Sequence, residues 1–131
     1  MSYLVDTDWI IDYLNADRRA IALFADLVGE RLGMSLVTYG EVYDGIYYGR
    51  KPVESEAGFV RLLHVIYVID LNEAIMRRFA LIRGGLRKAG LAIGDSGIMI
   101  AATALHHDLT LVTRNLDHFQ RIPDLKIYQM C

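Results

Sequence analysis

The sequence predicts an α/β fold in which a central, mainly parallel sheet of about five strands is covered by helices on both faces. Short β-rich runs alternate with longer helical patterns along the whole chain, as is typical of a parallel sheet. No repeat, low-complexity tract or linker interrupts the sequence, and both prolines, Pro52 and Pro123, lie between predicted elements. The chain has 131 residues, of which 53% are hydrophobic, enough for one ordinary core. We therefore predict a single domain over residues 1–131.

The first half of the chain predicts two strands and four helices. Residues 2–6 are a short apolar run typical of a buried strand, and a short helix is expected at 9–14. The next helix, 16–32, is expected to bury one stripe of side chains, formed by Ile21, Phe24, Ala25, Leu27 and Val28. A strand at 34–37 precedes a helix at 38–49. The helix at 54–66 has an inward face formed by Phe59, Leu62, Leu63 and Ile66.

The second half predicts three further strands, at 65–69, 110–112 and 126–128, and two helices. The helix at 72–89 is long and amphipathic. The helix at 98–105 is apolar all round, so we expect it to lie beneath other elements. In an open sheet of this kind, ligands bind beyond the carboxyl ends of the strands. The residues that follow each strand are therefore the first candidates for a functional site.

Composition limits the possible partners and compartments. The formal net charge is −2 and the pI is near 6.0, so a nucleic acid would have to meet a local basic patch. The single cysteine, Cys131, is the last residue, which indicates a reducing compartment. The first apolar run is too short for a signal peptide, and no apolar stretch approaches the roughly 18 residues of a membrane helix. We expect a cytoplasmic protein with no membrane partner.

Carboxylate or amide side chains stand near the points where strand-like runs stop. These residues are Asp6, Glu41, Asp95, Asn115 and Asp117. Because parallel strands end at one edge of a sheet, these groups can converge on one metal ion although they are far apart in sequence. Their oxygen ligands suit Mg²⁺.

Each of these residues also has a structural interpretation. Asp6 is placed to cap the helix at 9–14, a role compatible with metal binding. Thr38 and Glu41 match a capping box, and we leave the capping and catalytic roles of Glu41 both open. Asp95 or Ser96 suits the cap of the next apolar helix. Asn115 and Asp117 suit an Asx turn that closes a strand.

Other metal and phosphate chemistry is disfavoured. The four histidines lack the spacing of zinc ligands, and the terminal Cys131 adds nothing to them. Gly84 and Gly85 lie within a predicted helix and no P-loop lysine follows them. The D-T-D sequence at residues 6–8 is similar to the D-x-D of phosphotransfer enzymes of the haloacid-dehalogenase type. The further lysine of that family is missing here, so we rank this function low.

Four segments carry a resemblance to a known family. They are L-V-D-T-D, V-T-Y-G-E-V-Y-D-G-I-Y-Y-G, I-A-A-T-A-L and L-T-L-V-T-R-N-L-D-H-F-Q-R-I-P-D-L-K-I, in this order along nearly the whole chain. This pattern resembles the PIN domain, and more narrowly the toxin component of VapBC toxin–antitoxin pairs. The resemblance implies a three-layer α/β/α fold and a ribonuclease that depends on Mg²⁺ or Mn²⁺ and cleaves cellular RNA. It also implies a small VapB-like antitoxin that binds across the active site.

One position departs from the family pattern. The third acidic residue of the family usually stands three positions before the isoleucine of I-A-A, and Gly97 occupies that position here. Asp95 lies two residues upstream. Three explanations remain open: natural degeneration, replacement of the missing acid by Asp95, or a substitution selected because the active toxin poisons its producer. A catalytically impaired module that keeps its antitoxin or RNA binding is therefore the alternative function.

The resemblance also suggests a role for each candidate. Asp6 is the expected direct metal ligand, with Asp95 as a second if it replaces the missing acid. Glu41 and either Asn115 or Asp117 would orient bound water, and Arg114 would lie near the scissile phosphate. An antitoxin tail is expected in a groove of the helices at 16–32 and 38–49. We expect a homodimer formed through other helices.

Overall fold

The computed structural model describes residues 2–129, so the expectation about Cys131 lies outside the described residues. Four parallel strands form one sheet in the order β3-β2-β1-β4, with β1 at Ser2–Val5, β2 at Arg31–Ser35, β3 at Ile66–Ile69 and β4 at Thr110–Val112. The helices are α1 (Thr7–Leu14), α2 (Arg18–Asp26), α3 (Leu36–Tyr47), α4 (Pro52–Leu62), α5 (Glu73–Lys88), α6 (Asp95–His106) and α7 (Leu116–Phe119).

The predicted fifth strand at 126–128 is reduced to a single bridge. Leu111 pairs with Ile127 in the parallel sense. The Leu111 amide donates to the Lys126 carbonyl at 2.8 Å, and the Tyr128 amide donates to the Leu111 carbonyl at 2.9 Å. Within residues 2–129 the sheet therefore has four strands rather than about five, because the chain runs beside β4 for only one residue pair.

Helices cover both faces of the sheet, which confirms the three-layer α/β/α fold. Adjacent strand residues point to opposite sides, so Val5 and Val112 join one core with α1 to α4, whereas Leu4 and Leu111 join a second core with α5 and α6. The apolar helix predicted at 98–105 forms most of α6. It is buried as expected, with Ala101, Ala102 and Ala104 fully inaccessible.

The prediction for residues 16–32 was too long and placed part of the stripe wrongly. The side chain of Asp17 accepts from the amides of Arg19 and Ala20 and so sets the start of α2. Gly29, with φ of 90°, lies in the turn that leads into β2. The buried stripe consists of Ala20, Leu23, Phe24 and Leu27, whereas Ile21, Ala25 and Val28 are exposed.

The start of α3 was also misplaced by the sequence pattern. The strand expected at 34–37 ends at Ser35, whose hydroxyl accepts from the Val37 amide and caps the helix. Thr38 is therefore a buried residue inside α3, not its cap. No helix within residues 2–129 is long and apolar enough to cross a membrane.

Candidate active site

A polar pocket of about 200 Å³ lies where β1 and β4 end and α6 begins. It is lined by residues from four helices, α1, α3, α6 and α7, and from the loops that precede three of them, namely Asp6, Thr7, Asp8, Glu41, Ile93, Gly94, Ser96, Gly97, Ile100, Asn115, His118 and Phe119. Three of the five sequence candidates line it, and these are Asp6, Glu41 and Asn115. The parallel sheet thus brings together groups that are up to 109 residues apart.

Asp6 is held between the ends of β1 and β4. Its amide donates to the Val112 carbonyl at 2.9 Å, which extends the pairing of β1 with β4 by one bond. One carboxylate oxygen accepts from the Thr7 amide at 2.8 Å and caps α1, as predicted. The other accepts from the Thr113 hydroxyl at 2.7 Å. The side chain therefore has a fixed direction, and capping takes up only part of its acceptor capacity.

Glu41 reaches the same pocket from α3. Its Oε1 accepts from the Thr7 hydroxyl at 2.7 Å, so Thr7 contacts Asp6 through its amide and Glu41 through its side chain. The capping-box interpretation of Glu41 was wrong, because Ser35 caps α3 and Glu41 lies in the second turn of the helix. Nothing in the start of α3 requires a carboxylate at position 41.

The charges in the pocket are poorly compensated. Burial raises the pKa of Asp6 above its ordinary value, hydrogen bonds from Thr113 and Thr7 oppose this rise, and the negative charges of Asp8 and Glu41 add to it. None of the described residues that line the pocket is a lysine or arginine. Three carboxylates therefore line one small pocket that has His118 but no lysine or arginine in its described lining, an arrangement that a cation would stabilise.

Gly97 lies in the wall of this pocket, in the first turn of α6. A Cβ atom at this position would lie 3.3 Å from Cγ2 of Ile93 and 3.6 Å from Cζ of Phe119, and both of these residues line the pocket too. An aspartate side chain would therefore start inside the pocket wall, after a small shift of Ile93. In residues 2–129 as they stand, no three histidine, cysteine, aspartate or glutamate side chains are grouped closely enough to hold a metal ion.

Asp95 does not line the pocket. It is the first residue of α6, is exposed, and accepts from Nε of Arg83 on α5 at 2.9 Å. Neither Asp95 nor Ser96 caps α6 through its side chain, because the cap position is Gly94. The structure thus offers no sign that Asp95 has replaced the missing acid. Its predicted metal role finds no support in this geometry.

The last two candidates separate at the start of α7. Asn115 lines the pocket and is the cap residue of α7, but its side chain makes no cap hydrogen bond. The backbone amide of Asn115 donates to the Thr113 hydroxyl at 3.0 Å, so the side chain of a threonine, rather than an Asx turn, closes the strand. Asp117 is exposed and does not line the pocket.

Arg114 is engaged away from the pocket. Its Nη1 lies 2.7 Å from Oδ2 of Asp12 on α1, and its guanidinium lies 5.0 Å from the centre of the Trp9 ring. Both contacts hold the start of α7 against α1. The expectation that Arg114 points at a scissile phosphate in the pocket is therefore not met by this structure.

Two threonines that donate hydrogen bonds to the carboxylates, Thr7 and Thr113, were not among the residues predicted from the sequence. Thr7 follows Asp6 directly, and Thr113 follows the last residue of β4; both are buried. A polar residue that ends an otherwise apolar strand is the signal that could have found Thr113. His118 and Phe119 also line the pocket, and no local pattern marks them.

The donor set fits a hard divalent cation. Asp6, Asp8 and Glu41 offer carboxylate oxygens as metal ligands, and Asn115 offers the carbonyl oxygen of its side chain. Mg²⁺ keeps several water molecules and commonly takes only one or two carboxylates from the protein. Asp6 and Glu41, joined through Thr7, match that requirement, although Asp8, the third acid in the lining, does not complete a group of three potential ligands with them.

Comparison with known proteins gives the family of this chain. A family model described as the PIN domain matches residues 3–125. Ribonuclease VapC1 of Haemophilus influenzae (strain R2866) is 32% identical over 128 residues, and the match covers 96% of each chain. The chain therefore belongs to the PIN-domain family. Within that family it belongs with the VapC proteins, which confirms the resemblance seen in its motifs.

Solved structures agree with this assignment. The 2.2 Å structure of VapBC-1 from nontypeable Haemophilus influenzae matches with a TM-score of 0.85 and 32% identity, over 98% of both chains. A toxin–antitoxin complex from Klebsiella pneumoniae matches with a TM-score of 0.77 and 26% identity, over 98% of this chain and 99% of that one. Both comparisons span the whole sheet and the pocket at its edge.

Proposed function

We propose that this protein is a divalent-metal-dependent endoribonuclease, the toxin of a toxin–antitoxin pair, and that the pocket around Asp6 and Glu41 is its active site. The observation that supports this best is the convergence of two carboxylates on Thr7 in a pocket without a described lysine or arginine. Membership of the PIN-domain family and a relative named as a ribonuclease support the reaction class.

Asp6 and Glu41 would hold Mg²⁺ or Mn²⁺, with Asp8 and Asn115 at the edge of the same pocket. The ion, when bound, lowers the pKa of a water molecule and offsets negative charge on the phosphate oxygens. Thr7 and Thr113 fix the directions of the two carboxylates. Burial of Asp6 keeps bulk water from screening its charge, which strengthens its attraction for a cation.

The test is cleavage of a defined RNA by the purified protein in Mg²⁺, in Mn²⁺ and in EDTA. We expect cleavage only with a divalent ion, and none by Asp6→Asn under any condition. Asp26→Asn, the same acid-to-amide change at an exposed residue of α2 outside the pocket lining, serves as the matched control and should cleave like the parent. Equal cleavage in EDTA would exclude the proposed chemistry.

A catalytically impaired module remains the second candidate, and Gly97 is the observation that favours it. The pocket holds a glycine in its wall where the family usually has an acid, and no group of three potential ligands exists among residues 2–129. In that case the parent chain should bind RNA or antitoxin without cleaving RNA. Cleavage by Gly97→Asp but not by the parent would establish this function.

We further propose a VapB-like antitoxin as partner, because the matched structures are VapBC and toxin–antitoxin complexes. An apolar groove of about 400 Å³ lies between α1, α2 and α4, and Ile21 and Val65 on its lining are 46% and 70% exposed. The groove thus uses α2 as expected, but α4 in place of α3. Ile21→Glu should weaken binding of the proposed antitoxin, whereas Val60→Glu, at an apolar residue of α4 that is 45% exposed and outside the groove, should not.

A further inference from the structure

We propose that Thr38 is a positioning residue that orients the Glu41 carboxylate through the hydroxyl of Thr7. The inference rests on the proposed function of the pocket and adds a buried residue that does not line it. Thr38 is fully inaccessible to solvent and lies on α3, one turn before Glu41. It therefore acts on the site only through a neighbour.

The hydrogen-bond directions follow from the number of available protons. Thr7 Oγ1 lies 2.7 Å from Oε1 of Glu41 and 2.9 Å from Oγ1 of Thr38. An ionised carboxylate can only accept, and a threonine hydroxyl has one proton to donate. The Thr7 proton is therefore committed to Glu41, and the Thr38 proton must go to Thr7. Each hydroxyl in this relay has one permitted direction.

The hydrogen bond of Thr38 differs from the one that a buried helical threonine usually makes. Thr103, the fully buried threonine of α6, donates to the Met99 carbonyl one turn earlier in its own helix, which is the usual bond for a helical threonine. The Thr38 hydroxyl instead bonds to the hydroxyl of Thr7 on α1. Through Thr7, the first residue of α1, these bonds join Thr38 in the first turn of α3 to Glu41 in the second, and the Thr7 amide also bonds the other proposed metal ligand, Asp6.

Loss of the Thr38 hydroxyl should loosen Glu41. Without it, Thr7 Oγ1 would lack its donor and its torsion would be held by one bond instead of two. Groups that orient metal ligands in this way typically change metal affinity by about 10-fold to 100-fold when they are removed. We therefore expect Thr38→Val, which keeps the shape of the side chain, to weaken Mn²⁺ binding by about 10-fold.

The experiment measures Mn²⁺ affinity and the exchange rate of the Thr7 hydroxyl proton by NMR in four proteins: the parent, Thr38→Val, Thr38→Ser and Thr103→Val. Thr38→Ser loses a buried methyl group but keeps the hydroxyl, so it should be less stable than the parent yet bind Mn²⁺ like the parent. Thr103→Val is the matched control, since it removes an equally buried hydroxyl that does not line the pocket and bonds only within α6. In Thr38→Val alone, the Thr7 proton should exchange faster and Mn²⁺ should bind more weakly.

Two results would overturn the inference. One is Mn²⁺ affinity in Thr38→Val equal to that of the parent, and the other is an unchanged exchange rate of the Thr7 proton. A parent chain that fails to bind Mn²⁺ would instead contradict the proposed function. In that event the exchange rates alone decide the relay, because they are measured without metal.

Discussion

The Asp6 carboxylate is held by two hydrogen bonds, yet its negative charge is buried next to other acids. Its carboxylate caps α1 and accepts from Thr113, yet burial and two neighbouring acids raise its pKa. In the metal-free protein this residue therefore opposes folding once it ionises. Burial that is unfavourable for stability is typical of a group retained for function.

The first prediction concerns Asp6→Asn and its dependence on pH. Because the pKa of Asp6 is raised above 3.8 in the folded state, its stabilising contribution is complete below that value and is lost as pH rises through the folded pKa. The stability of the parent relative to Asp6→Asn should thus fall as the pH rises above about 4. Thermal unfolding of both proteins in EDTA measures it. If the stability of the parent relative to Asp6→Asn instead rises with pH, Asp6 is mainly structural.

Gly97 provides the second prediction. Gly97→Asp should raise Mn²⁺ affinity and RNA cleavage together, because the new side chain starts in the pocket wall and only Ile93 must yield. Gly97→Ala is the control: it places the same Cβ atom 3.3 Å from Cγ2 of Ile93, so it should add at most about 1 kcal/mol of stability by helix propensity and leave metal affinity unchanged. Calorimetric titration with Mn²⁺ measures the metal affinity of both variants, and thermal unfolding measures their stability. Equal Mn²⁺ affinity in the aspartate and alanine variants would mean that position 97 is not a ligand position.

At the scale of elements, α6 separates two acids that are neighbours in sequence. The helix starts at Asp95, whose side chain pairs with Arg83 on α5, whereas Gly97 in the same first turn lines the pocket. A side chain two positions along a helix points about 200° around its axis, so the two positions cannot serve the same pocket equally.

The third prediction follows from this separation. Asp95→Asn should leave Mn²⁺ affinity and cleavage unchanged, and should cost less than about 1 kcal/mol of stability, because its ion pair with Arg83 is exposed on both sides. Metal titration and thermal unfolding check both parts. Loss of cleavage in Asp95→Asn would instead show that Asp95 has replaced the missing acid.

Much of the element order could be predicted from the sequence, because apolar periodicity reports burial directly. β4 and the burial of α6 are examples. The boundaries of α2 and α3 could not be predicted, since they depend on which of several polar residues caps the helix, and Asp17 and Ser35 do so. For the same reason Glu41 was left open between two roles.

At the scale of the whole molecule, the parallel sheet is what assembles the site. Asp6, Glu41 and Asn115 could be predicted because each follows a strand and parallel strands end at one edge. The engagement of Arg114 by Asp12 and Trp9 could not be predicted, because it depends on how α1 packs against the start of α7. Contacts between elements distant in sequence leave no local pattern.

The fourth prediction is that the protein is a homodimer at micromolar concentration. Large apolar side chains remain exposed, among them Leu81 of α5 at 78% and Val28, in the turn after α2, at 80%, more than a small monomer needs to leave in contact with water. Light scattering of the purified chain measures the mass, for which one chain contributes 14.8 kDa. A strict monomer would contradict this prediction.

The central claim is that Asp6 and Glu41 act together on one divalent ion during RNA cleavage. The most direct test follows the rate of cleavage of a defined RNA as Mn²⁺ is titrated into the Gly97→Asp background, with and without Glu41→Gln. Glutamine keeps an oxygen that can accept from Thr7, so the fold of α3 should be preserved while the charge is lost. We predict saturable cleavage that Glu41→Gln abolishes or shifts to much higher Mn²⁺ concentration. An unchanged Mn²⁺ dependence in Glu41→Gln would contradict the claim.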